Sequence, residues 1–150
     1  MAKATEEKII VGVDGSDASI EALSLGFRLA QALGTRLEAW GCWEYPVGYE
    51  GYLTMGVEGF AHEAEEHLEQ ALAKAFGPER PRNVSARLVH GSARTSLVEG
   101  SRGASLLVVG RRGHGGFAGL LLGSVSAACV SHAHCPVLVV HPPRLEEPGT

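Results

Sequence analysis

The sequence is short of the features that mark several protein classes. It has three cysteines, Cys42, Cys129 and Cys135, an odd number with no C-x-x-C spacing. That argues against a disulfide framework and fits free thiols in a reducing compartment. Basic runs are scarce: none exceeds Arg111-Arg112, and the net charge is −4. A general nucleic-acid surface or an anionic-membrane surface is therefore disfavoured. No wholly apolar run approaches the ~20 residues needed to span a bilayer. The stretch from Met1 to Lys8 is polar and charged, unlike a signal peptide. These absences predict a cytoplasmic protein with neither nucleic acid nor membrane as partner.

What is present describes a folded domain. Of 150 residues, 45% are hydrophobic and 20% charged, too apolar for disorder. One domain spanning residues 1–150 is expected, with 143–150 as a frayed tail. Glycine is the anomaly. There are 20, roughly 13% against a usual ~7%, and Gly110, Gly113, Gly115, Gly116, Gly119 and Gly123 crowd one stretch.

Hydrophobic patterning predicts alternating strands and helices. Ile9–Val13 is a continuous apolar run, as in a strand buried on both faces, and it ends at Asp14-Gly15-Ser16. Ile20, Leu23, Phe27, Ala30 and Leu33 then trace one helical face. Ser16 or Asp17 can cap that helix and Gly34 can end it. Leu37–Trp43 is a second strand, followed by a long loop over Glu44–Glu58 carrying Tyr45, Tyr49 and Tyr52. A helix over about Val57–Phe76 stops at Gly77-Pro78. Val84–His90 alternates as an outer strand does, a short helix covers about Ala93–Glu99, and Leu106–Val109 is again a buried-type strand. Ser124–Ser131 is a short helix and Pro136–His141 a last strand.

The order βαβαβαβαβ predicts an α/β fold, a doubly wound parallel sheet with helices on both faces. The two most apolar strands, first and fourth, belong at the centre. If they flank the switch point, ligand chemistry lies at their C-terminal ends, where Asp14 and Gly110 converge.

The glycine-rich stretch follows a strand and feeds a helix starting at Ser124. Glycine lets backbone approach an anion closely, and a helix start supplies unpaired N–H groups and positive potential. Together they form a phosphate cradle, to which Arg111, Arg112 or His114 can add charge. The competing reading is a surface loop with one helix cap. The stretch is not a Walker A loop, since no Lys precedes Ser124, and no G-x-G-x-x-G follows the first strand.

The spacing Gly110-x2-Gly113-x9-Gly123-Ser124 resembles the G-2x-G-9x-G-[S/T] signature of the ATP-binding branch of the universal stress protein family. The resemblance extends through Val11–Ser19 (VGVDGSDAS) and His134–Val140 (HCPVLVV), so it covers nearly the whole chain. It implies a five-stranded parallel sheet of order 3-2-1-4-5 and a regulatory, stress-response role. It implies that Gly110, Gly113, Gly123, Ser124 and the Val125 backbone wrap the ribose and phosphates of ATP. The resemblance further implies that Asp14 approaches ribose and phosphate, with Mg²⁺ as a bridging ion, and that Gly12 and Cys42 stand as adenine walls. The family often has His before Cys42, where this chain has Gly41. Similar proteins pair their last strands, so Val137–Val140 would form a homodimer seam.

Other readings stand beside this one. Asp14 and Mg²⁺ are compatible with a slow ATPase or phosphotransferase, although no dedicated general base is legible. Asp14 and Ser124 also suit plain helix-capping roles. A receiver domain would need an Asp ending the third strand, which instead closes Leu88-Val89-His90-Gly91. His132, His134 and Cys135 include metal-capable side chains but lack a four-ligand set.

Overall fold

The computed structural model describes residues 7–45, 52–111 and 122–142. Among the described residues nine strands and α-helices alternate: β1 (Lys8–Gly12), α1 (Asp17–Leu33), β2 (Arg36–Trp43), α2 (Tyr52–Phe76), β3 (Val84–His90), α3 (Ala93–Gly100), β4 (Leu106–Gly110), α4 (Ser124–His132) and β5 (Val137–Val140). A 3₁₀ turn, Ser101–Gly103, follows α3. The strands form one parallel sheet of order β3-β2-β1-β4-β5. This is the doubly wound arrangement and the strand order expected above.

Burial explains the placement. In β1, Ile9, Ile10 and Val11 are fully buried, as are Leu107 and Val108 in β4. Strand alternation sends Ile9, Val11 and Val108 into a core shared with Ala22, Leu23, Ala30, Leu68 and Leu72. Ile10, Leu107 and Val109 face the opposite core with Trp40, Leu97 and Cys129. Helices α1 and α2 therefore cover one face, and α3 and α4 the other. The outermost strand β3 alternates instead, with Val84 buried and Ser85 and Arg87 exposed.

Helix α1 is held close to the sheet. Ser16 is its N-cap, with Oγ accepting from the Ser19 N–H at 3.2 Å. Gly34 ends it in the left-handed region at φ 66°. A Cβ at Gly26 would lie 2.9 Å from Val11 Cγ2, so only glycine permits this approach to β1. Two expectations are corrected. Leu33, assigned to the buried face, is 62% exposed. The last turn overruns the sheet, and nothing lies within 4 Å of where a Gly34 Cβ would sit. Helix α2 begins at Tyr52, inside the stretch expected to be loop. Internal Gly56 and Gly59 cost about 1 kcal/mol each against alanine, which a long amphipathic helix tolerates once nucleated. The remainder of that stretch, 46–51, and the tail 143–150 lie outside the described residues.

A buried charge ties the N-terminal ends of β1 and β2 together. Glu38 is 9% exposed. Its carboxylate accepts from Trp40 Nε1 at 3.0 Å and pairs with Arg36 at 2.5 Å and Lys8 at 3.2 Å. Arg87 caps the Trp40 ring at 4.7 Å, a cation–π contact. Burial pushes the Glu38 pKa up, but the bonds from Trp40, Arg36 and Lys8 outweigh it and hold the pKa below the ordinary value. A depressed carboxyl pKa contributes stability above the ordinary value and loses it as pH falls through the folded one. Glu38→Gln should therefore cost about 1–3 kcal/mol near neutrality. The gap between mutant and parent in pH-dependent melting should close below the ordinary carboxyl pKa of about 4.3.

Candidate functional site

The C-terminal ends of β1, β2 and β4 open into a crevice. Beyond β1, the Val13 N–H still donates to Trp40 O at 2.9 Å, so the ladder with β2 continues to the crevice edge. Gly15 then turns the chain at φ 84°. Asp14 is exposed, and its Oδ1 accepts from the Ser16 N–H at 2.9 Å. That bond shapes the turn into α1, and Asp14 lines the cleft.

A cleft of about 340 Å³ lies between these strand ends and α2. Val13–Gly15 form one wall and Gly41–Glu44 the floor. Phe60, Ala64 and Leu68 of α2 form the roof, with Glu63 and His67 at its rim. Leu68 descends onto Gly41, whose missing Cβ would sit 3.2 Å from Leu68 Cδ2. A larger residue at Gly41 would force this roof upward. Cys42 lines the cleft, but burial pushes its thiol pKa up, with a hydrogen bond to Ser96 of α3 acting the other way. The thiol is thus protonated at neutral pH and behaves as a small apolar group. Trp43 stacks on His90 of β3 with centroids 4.3 Å apart and planes 15° apart. Tyr45 meets both rings and Phe60 edge-on, at 5.5–5.6 Å.

The other flank is built by β4 and α4. Gly110 ends β4 directly under the first turn of α1. A Cβ there would lie 2.8 Å from Ala18 Cβ and 3.1 Å from the Ser19 backbone nitrogen. Helix α4 is capped by Gly123, at φ −74°, with no side-chain cap bond among the described residues. Its first intrahelical bond runs from Ala127 N–H to Gly123 O at 2.9 Å. The Ser124, Val125 and Ser126 N–H groups consequently have no acceptor within the helix, which leaves an anion-receptive terminus.

A residue that the sequence reading did not single out fastens this terminus. Ser126 is 2% exposed. Its hydroxyl donates to Arg111 O at 2.7 Å, with Gly123 O at 3.1 Å as second acceptor. The Gly123 N–H also reaches Arg111 O, at 2.8 Å, and the Arg111 N–H donates to Val140 O at 2.7 Å. One residue after β4 thereby holds both the start of α4, through its carbonyl, and the end of β5, through its N–H. A serine one turn inside a predicted helix gives no pattern signal, because the partner carbonyl is fifteen residues away.

The structure brings Asp14 and Cys42 into the cleft lining, whereas Gly110, Gly123, Ser124 and Val125 lie outside that lining, at the end of β4 and the start of α4. Gly12 is elsewhere: it packs under α3, where a Cβ would lie 2.8 Å from Leu97 Cδ1. Gly113 lies outside the described residues. Among the described residues no group of three or more His, Cys, Asp or Glu side chains is arranged to hold a metal. His132 and His134 are exposed, and burial pushes the Cys129 thiol up to about 11.

These contacts separate two kinds of glycine. Gly110→Ala should destabilise by about 1–3 kcal/mol, because the added methyl meets backbone. Gly123→Ala, at an ordinary φ, should cost about 1 kcal/mol or less, the usual preference for glycine over alanine at a cap. Chemical denaturation of the two variants tests the difference, and equal losses would contradict it.

The chain matches the model of the universal stress protein family over residues 6–141. A universal stress protein of Mycobacterium tuberculosis is 33% identical over 93% of this chain and 49% of its own length. One from Methanocaldococcus jannaschii is 30% identical over 93% of this chain and 85% of its own length. The chain thus spans about half the length of the mycobacterial relatives it matches. Among solved structures, a universal stress protein from Lactobacillus plantarum superposes with TM-score 0.73 at 21% identity, covering 92% of this chain and 99% of that one. Another, solved in complex with cAMP, superposes with TM-score 0.59 at 28% identity over 93% of this chain and 100% of its own. The matched span, the sheet order and the strand-end crevice agree, and the chain belongs to the universal stress protein family.

Proposed function

We propose that this crevice binds an adenine nucleotide, ATP with Mg²⁺, as the ligand of a regulatory stress-response protein. The observation that carries the reading is the start of α4, capped by Gly123 with no side-chain cap bond among the described residues and tied through Arg111 to the end of β4. Three successive N–H groups without intrahelical acceptors suit phosphate oxygens, and the 340 Å³ cleft at the ends of β1 and β2 is of ligand size. The 28% identical relative solved with cAMP supports the ligand class.

Gly110, Gly123, Ser124 and Val125 would hold ribose and phosphates, with Gly113 completing the family spacing. Asp14, exposed and with one oxygen already accepting from Ser16, would offer the other to Mg²⁺. The bound ion would neutralise phosphate charge next to this carboxylate. Cys42 would contact the base as an uncharged wall, while Gly12 would act only by letting Leu97 pack. A slow ATPase needs a group that orients water, and no described residue is fixed by hydrogen bonds for that task.

Regulation would pass through the Arg111 peptide, which joins the phosphate flank to Val140 at the end of the edge strand β5. Val137–Val140 would then be the seam of a homodimer, closing an edge that otherwise invites pairing. Saturation at about 100 times Kd should add about 2.7 kcal/mol of stability, so Mg-ATP should raise the melting temperature. Asp14→Ala should shrink that rise, and an unchanged melting temperature at millimolar Mg-ATP would refute the reading. Sedimentation should return about twice the 15.8 kDa chain mass; a monomer at tens of micromolar would refute the seam.

A further inference from the structure

Resting on the nucleotide reading above, we propose that the Trp43–His90 stack is the base-recognition wall, with Trp43 the residue that selects a purine.

The position of Trp43 follows from strand alternation. Gly41 faces Leu68 of α2, and the Cys42 thiol faces Ser96 of α3. Trp43 therefore returns to the α2 side, where it lines the cleft opposite Phe60. Trp40 lies in the other core and cannot substitute for it.

One face of the Trp43 indole is already occupied by His90, its cross-strand partner in the β2–β3 register. The edge contacts with Tyr45 fix the ring further. A planar ring held in this way loses little freedom when a base adds to the stack, so the gain from stacking is retained in binding.

Charge sets the orientation of the ligand. Glu44 and Glu63 sit at the cleft, and Glu63 lies 4.0 Å from His67. Carboxylates at this end repel phosphate, whereas the N–H groups of α4 attract it. The neutral base belongs under α2 and the phosphates at Ser124.

The test uses the whole chain labelled with 5-fluorotryptophan, which carries only Trp40 and Trp43. Fluorine NMR should show the Trp43 resonance moving with ATP and with adenosine, but not with inorganic triphosphate, while Trp40 stays in place. Trp43→Leu should weaken ATP and adenosine roughly 10- to 100-fold by calorimetry, the range expected for a lost base–aromatic stack. Trp43→Phe should recover most of the loss, and the ATP-over-CTP preference should collapse in Trp43→Leu. The proposal is overturned if the parent binds ATP but its Trp43 resonance does not move, or if Trp43→Leu binds ATP as the parent does. Absence of ATP binding to the parent would instead remove the nucleotide reading, and this proposal with it.

Discussion

The central constraint is that β1 pairs in parallel on both sides, with β2, which follows it through α1, and with β4, which the chain reaches only after β3 and α3. Parallel neighbours end together, so three strand ends meet at one edge of the sheet. Helices α1 and α2 depart over one face and α3 and α4 over the other. The crevice is a consequence of this winding. Its width depends on how tightly α1 can settle, and Gly26 and Gly110 let it settle by removing the two side chains that would hold it off.

The crevice has two ends of opposite character. Under α2 it is aromatic and acidic, with Trp43, Phe60, Glu44 and Glu63. At α4 it offers backbone N–H groups and the positive end of a helix. An extended ligand that is flat and neutral at one end and anionic at the other complements both. Arg111 connects this chemistry to the periphery: its carbonyl accepts from Gly123 and Ser126, and its N–H donates to Val140. Ligand-induced movement of α4 would be felt at β5 without any long pathway.

Most of the fold was legible because its signals are local. Continuous apolar runs at Ile9–Val13 and Leu106–Val109 marked the central strands, and Ser16 and Gly34 bounded α1 as their chemistry suggests. The failures have physical causes. Leu33 keeps the helical period, but periodicity is blind to where the sheet ends. The start of α2 was hidden by Gly56 and Gly59, which weaken a helix without breaking it. Within the cleft, Asp14 follows the apolar run of β1, so its place at a strand end was legible. The bare face of Gly12 packs on Leu97, a contact that patterning does not show. Ser126 and the Trp43–His90 stack could not be read, since each depends on a partner far away in sequence. Among the described residues the glycines thus divide by neighbour: Gly26 and Gly41 admit a side chain, Gly15 and Gly34 turn the chain, and Gly110 and Gly123 bracket the proposed phosphate site.

The most direct test of a two-ended nucleotide site is hydrogen–deuterium exchange of the intact protein with and without Mg-ATP. The account predicts new protection at both ends of the crevice, at the Ser124–Ser126 amides and at Trp43–Glu44, with β3 unchanged at its Val84 end. Protection at one end alone, or none at saturating ATP, would contradict it.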